Sequence, residues 1–274
     1  MTSAARAERP SASADPAPVV RFVEDTYAVF LAELIKIRHD PVEILSRASQ
    51  PLLWLLVFGQ VLARTRAIDT GPLAYQDYLA PGVLAQSAQF SAIFFGLAVI
   101  WERDLGLVHK LLASPASRSA LVLGKALAGG ARALVQALIV YLAAIAIGVR
   151  VRVEPLPILA VAIVLVLGSS LFATFSLVVA CLVRSRERFM GIGQLLTMPL
   201  FFASSAIYPV ALMPGWLQVL ATLNPLTYLV DALRTLMVVG GSSSHGLAVD
   251  VGVLGGVLVA LVWLGGRLYP RLGQ

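Results

Sequence analysis

Apolar runs of twenty residues or more constrain this chain more than anything else in it. Residues 80–100 read APGVLAQSAQFSAIFFGLAVI, and 157–183 read PILAVAIVLVLGSSLFATFSLVVACLV. A helix that crosses hydrocarbon needs roughly 20 mainly apolar residues. Inside a bilayer each backbone amide must find its partner within the protein, which leaves helices or closed barrels. These runs show none of the period-2 alternation of a barrel strand. Only 13% of the 274 residues are charged, whereas soluble domains carry about 25%. The expected fold is therefore all-α, a polytopic membrane protein.

Six spans are expected, at about 44–62, 80–100, 121–148, 157–183, 189–207 and 247–266, with Pro51 kinking the first. Residues 1–19, rich in Ala, Ser and Pro and lacking an apolar stretch, are expected to be a disordered tail rather than a signal peptide or span. In 20–38, Val23, Tyr27, Phe30, Leu31 and Leu34 share one helical face, while Arg21, Asp25 and Lys36 lie on another. That pattern predicts an amphipathic helix lying in the membrane interface. Residues 39–274 then form the six-helix membrane domain.

Basic residues set the orientation. With the N-terminus inside, fourteen Lys and Arg fall on cytoplasmic segments and five outside, and Lys125 and Arg132 lie within the third span. This bias places both termini in the cytoplasm of an inner (plasma) membrane protein. It also accounts for the net charge of +6 without a nucleic-acid partner. The single cysteine, Cys181, excludes an intramolecular disulfide, and the scattered His39, His109 and His245 suggest no metal site.

Two segments do not fit simple turns. Residues 101–118, WERDLGLVHKLLASPASR, place a charged helix between two spans where a few residues would connect them. Glu102, Arg103, Asp104, His109 and Lys110 give it a mixed-charge surface suited to a protein partner. Residues 208–246 are too apolar for a free loop, yet Pro209, Pro214 and Pro225 interrupt them. Two short re-entrant helices joined near Asn224-Pro225, dipping into the outer leaflet, are expected there.

Within the spans, Gln86 and Gln89 form one polar stripe, and Lys125, Arg132 and Gln136 form another. Both predict a translocation path or dimer seam, with snorkelling of Lys125 and interhelical hydrogen bonds as the structural alternative. Asp231 and Arg234, three residues apart, predict a local ion pair. The chain holds no GxxxxGK[ST] loop: Gly124-Lys125 is followed by Ala126, and Ser119 stands where the first glycine belongs. Neither a catalytic triad nor HExxH is present. The chain is expected to bind no cofactor and catalyse no reaction, so energy for transport must come from a partner.

The ordered motifs Tyr78-Leu79-Ala80-Pro81-Gly82, Glu102-Arg103-Asp104-Leu105-Gly106, Leu111-Leu112-Ala113-Ser114-Pro115-Ala116-Ser117-Arg118, Gly124-Lys125 and Asn224-Pro225-Leu226-Thr227-Tyr228…Arg234 resemble the membrane subunit of ABC-2 type exporters. Asp104 stands where that family often has Glu, which keeps the charge. The resemblance implies a permease that dimerises, as a homodimer or heterodimer, and pairs with two copies of an ABC ATPase carrying ATP and Mg. It makes 101–118 a coupling helix, with Gly106 in its turn. It also makes Asn224, Pro225, Tyr228, Asp231 and Arg234 an outer re-entrant motif. Within the group the chain is similar to daunorubicin-type drug-resistance exporters, which implies an amphipathic, drug-like or lipid-like cargo. Export of polysaccharide or lipid-linked glycan is the alternative, and a non-transporting membrane anchor or sensor for an ATPase is a further one.

Overall fold

The computed structural model describes residues 18–37, 48–66, 68–108, 113, 116–183 and 185–270. His109 and Lys110, nearly all of the expected tail and the start of the first span lie outside the described residues.

The described chain is helical, and its only pairing of extended backbone is an isolated bridge between Val151 and Val238. Helix α1 is Pro18–Ile37. Helix α2 covers 48–65, with Pro51 in its first described turn and a π-helical turn at Trp54–Phe58. Four long helices follow the apolar runs: α3 Tyr75–Asp104, α4 Arg118–Ala146, α5 Pro155–Leu182 and, near the end of the chain, α9 Leu247–Leu268. By length and composition these four can cross a membrane. Helix α6, Arg186–Phe202, is shorter. Between α6 and α9 lie α7, Gly215–Leu223, and α8, Pro225–Met237.

Helix α5 is the hub, packing on α3, α4, α8 and α9. Leu79, Val83 and Leu84 of α3 and Leu165, Leu171 and Leu177 of α5 join Leu229 and Leu233 of α8 in the core. Lipid tails are as apolar as these side chains, so helix association in a bilayer depends on close packing. Small residues provide it. A Cβ on Gly124 of α4 would stand 2.6 Å from the Thr26 carbonyl oxygen of α1, so only glycine lets α1 lie this close.

Helix α1 turns Thr26 and Glu33 inward and leaves Val23, Tyr27, Leu31 and Leu34 of the expected apolar stripe exposed. An uncovered apolar stripe of this kind can meet lipid or another protein surface.

Helix α3 begins at Tyr75 and ends at Asp104 where 80–100 was expected, and two further differences bear on the site. The fifth apolar segment was expected to run to 207, but α6 ends at Phe202 and the chain turns over Ala203–Tyr208. Its terminal carbonyls are taken by a distant side chain: Asn224 Nδ2 donates to the Leu200 and Ala203 oxygens at 2.6 and 2.7 Å. Nor does 101–118 begin as a separate helix. Residues 101–104 are the last turn of α3, and the break falls at Leu105-Gly106. Gly106 has φ 71°, a left-handed conformation that ends helices readily in glycine. In 208–246, α7 and α8 are two short helices joined at Asn224 with Pro225 in the first turn of α8.

Candidate functional site

At the end of the bundle that carries residues 101–108, three helices meet through charge. Lys125 of α4 is 2% exposed. Its Nζ donates to Glu102 at the end of α3 and to Glu33 Oε1 of α1 at 3.2 Å. Arg132, two turns along α4, adds a contact from Nη2 to the other Glu33 oxygen at 3.6 Å. A buried lysine is expensive unless paired, and here it is bracketed by carboxylates from two different helices. Lys125 and Arg132 share one helical face, and both reach Glu33. Glu33 lies 92 positions from Lys125, and no local signal links them. Glu102, expected on a contact surface, turns inward to this network.

The outer side of the same end has a different character. Arg103 donates to Asp104 at 3.0 Å and to the Val183 carbonyl at 3.3 Å. Arg186, at the start of α6, reaches the other Asp104 oxygen at 2.8 Å while its guanidinium lies over the Trp101 ring. The Ser117 amide donates to Asp25 of α1, and the Ser117 hydroxyl caps α4 by accepting from Ala120. Beside these charges, Trp101, Leu105 and Leu107 are exposed, Leu105 by 72%. The charges stand out in the sequence and these apolar neighbours do not, although all three lie within WERDLGL.

The glutamine stripes lie inside the single chain. Gln86, Gln89 and Gln136 are each no more than 3% exposed. Gln89 leaves both amide atoms, and Gln86 its carbonyl oxygen, without a hydrogen-bond partner. Gln89 borders a cavity of about 20 Å³ between α3, α5 and α6, walled by Phe172, Phe175, Phe189 and Thr197. That is space for about one water, so the unmet amide has room for a polar visitor.

At the opposite end, the Asp231–Arg234 pair forms as expected at 2.9 Å, but within a larger lattice. Arg234 also donates to the Ser205 carbonyl at 2.6 Å and stacks on the Tyr78 ring, and the Ser205 hydroxyl donates to Asp231 at 2.8 Å. Asn224 Oδ1 accepts from the Leu226 amide and caps α8, and the Tyr228 hydroxyl donates to the Thr222 carbonyl. Asp77, at the start of α3, receives Arg150 at 2.9 Å. Asp250, wholly buried in the first turn of α9, lies beside Ser243, His245 and Asp231. Asp77 and Asp250 escaped the sequence reading because each stands alone at the edge of an apolar run.

A bundle of long apolar helices with buried polar pairs at both ends defines an integral membrane protein. The ABC-2 type transporter family profile matches residues 24–238, more than half of the chain, and the chain belongs to that family. Members are transmembrane subunits that work with a separate ABC ATPase. The chain is similar to the putative transport permease ycf38 of Cyanophora paradoxa, at 28% identity over 78% of this chain and 74% of the relative. It is also similar to the daunorubicin resistance ABC transporter permease protein DrrB1 of Streptomyces coeruleorubidus, at 25% identity over 87% and 82%. Nodulation protein J of Rhizobium leguminosarum bv. trifolii shows 26% identity over 71% and 73%.

Proposed function

We propose that this chain is the membrane-spanning half of an ATP-driven exporter in the inner (plasma) membrane, with both termini cytoplasmic. It works as a dimer of permeases bound to two ATPase subunits. The reading rests above all on Lys125. One buried ammonium joins the end of α3 to α1 and sits directly behind the surface formed by Trp101, Arg103, Asp104 and Leu105. An ATPase seated on that surface pushes on the last turn of α3. The push reaches α1 and α4 through Glu102, Lys125 and Glu33. Glu102 thus transmits force, while Arg103, Asp104 and Gly106, with His109 and Lys110, belong to the contact.

Helices α2 and α6 are proposed as the remaining two of six spans. They touch through Trp54, Phe201 and Phe202. Leu53, Val57 and Val61 of α2 are left uncovered, as a surface for the second permease copy. Gln86, Gln89 and Gln136, with the small space beside Gln89 between α3, α5 and α6, lie on the path, and α7 and α8 form the outer re-entrant hairpin. Similarity to a daunorubicin resistance permease supports an amphipathic or hydrophobic cargo, such as a drug, an antibiotic or a lipid-like compound.

The test separates contact from transmission. Leu105→Glu should abolish co-purification with the ATPase. Glu102→Gln should leave co-purification intact and reduce ATP-dependent transport in vesicles. If Leu105→Glu retains the ATPase and Glu102→Gln transports normally, the coupling route is wrong.

A further inference from the structure

Helix α6 meets the rest of the bundle along one narrow stripe, Phe189, Gly193, Thr197 and Phe201, one residue in every four. The face beside that stripe is uncovered. Gly191 is exposed, and no atom lies within 4 Å of the place its Cβ would take. Gln194 and Leu195 are exposed one turn further on, Leu195 by 71%. Residues three or four apart share a helix face, so the open glycine and the amide present one surface.

Gln194 is out of place there. Among the described residues, every other exposed side chain more than two turns from either end of α3, α4, α5, α6 or α9 is apolar. Its amide has no hydrogen-bond partner among the described residues. Gln194 lies six residues past Arg188, about 9 Å of helix rise beyond the charged start of α6. The inference rests on the export reading, in which α6 spans the bilayer. At that depth lipid tails offer the amide no partner, and polar side chains in spans turn to protein or water.

The chemistry of the amide narrows the partner. Glutamine carries an acceptor oxygen and an NH2 donor on one planar group. Two such amides related by a two-fold axis satisfy each other, the NH2 of each donating to the oxygen of the other. A closed pair of identical chains has that symmetry, and its interface is self-complementary. Small residues let helices approach to this range, and Gly191 supplies the room. The same face runs on to Phe202, which touches Trp54 of α2, so it is continuous with the uncovered α2 surface.

We propose that the Gly191–Gln194 face of α6 is where two copies of this chain meet, with their Gln194 amides paired across the two-fold axis.

The experiment places the full chain in lipid vesicles with single introduced cysteines, the native Cys181 being buried, and oxidises it with copper phenanthroline. Gly191→Cys should give a covalent dimer, and Val259→Cys on the exposed face of α9 should not. Adding Gln194→Leu to Gly191→Cys should slow cross-linking several-fold, and Gln194→Asn, which keeps a shorter amide, should slow it less. Should Gly191→Cys fail to insert, Leu195→Cys on the same face takes its place. If the face borders a water-filled route, a charged methanethiosulfonate reagent modifies Gln194→Cys and the Gly191→Cys copies stay apart. If it faces lipid, neither reaction occurs. Either result overturns the pairing, as does unchanged cross-linking with Gln194→Leu. Val57→Cys on α2 keeps the two readings apart. Cross-linking there without cross-linking at Gly191 leaves the dimeric exporter standing and removes this contact alone.

Discussion

The two ends of this bundle both bury charge, but they are built in opposite ways. At the 101–108 end, Lys125 pairs with carboxylates on two other helices, and both of these contacts are side chain to side chain. At the other end, Arg234 pairs within its own helix to Asp231 and is also fixed to the backbone at Ser205. A side-chain joint between helices can be re-formed after a shift. A guanidinium fixed to carbonyls holds the backbone itself. The first suits a linkage that transmits movement, and the second a frame that resists it.

The largest expected effect compares the two joints. Arg234→Ala strands Asp231 in a wholly buried position and should cost about 3–5 kcal/mol, the range for breaking a buried pair. Lys125→Ala leaves Arg132 beside Glu33, so its stability cost should be the smaller of the two. Thermal unfolding of both variants in nanodiscs checks the order, and a larger loss for Lys125→Ala would reverse the roles assigned to the two ends. A smaller effect of opposite sign is expected at Asp250. Asp250→Asn removes a buried carboxylate that faces the like charge of Asp231 and should stabilise by about 1 kcal/mol. A destabilised variant would mean that the carboxylate is held by its neighbours. The smallest change is expected at Asp104, whose pairs with Arg103 and Arg186 are partly exposed. Asp104→Ala should shift stability by less than about 1 kcal/mol while weakening ATPase association in a pull-down.

Much of this was legible in the sequence, and the reasons differ from element to element. Helices α3, α4, α5 and α9 follow apolar runs whose length leaves a chain in lipid no other choice. The break between α7 and α8 was visible because Asn224-Pro225 carries both a capping side chain and a helix-starting proline. The end of α6 was not visible, since the side chain that takes its carbonyls comes from 21 and 24 positions away. The lysine network was half visible. Periodicity placed Lys125 and Arg132 on one face, but Glu33 enters through tertiary packing that depends on Gly124. Exposed Trp101 and Leu105 went unremarked because apolar residues carry no contrast in a chain that is 58% hydrophobic.

The amide of Asn224 reaches in two directions at once. Its oxygen starts α8, and its nitrogen holds the last carbonyls of α6. Two segments that look independent along the chain are thereby riveted at a common pivot. If α6 tilts against the bundle, α8 is drawn with it, carrying Arg234. A rearrangement at α6 would therefore reach the Arg234 end of the bundle without any signal passing along the backbone.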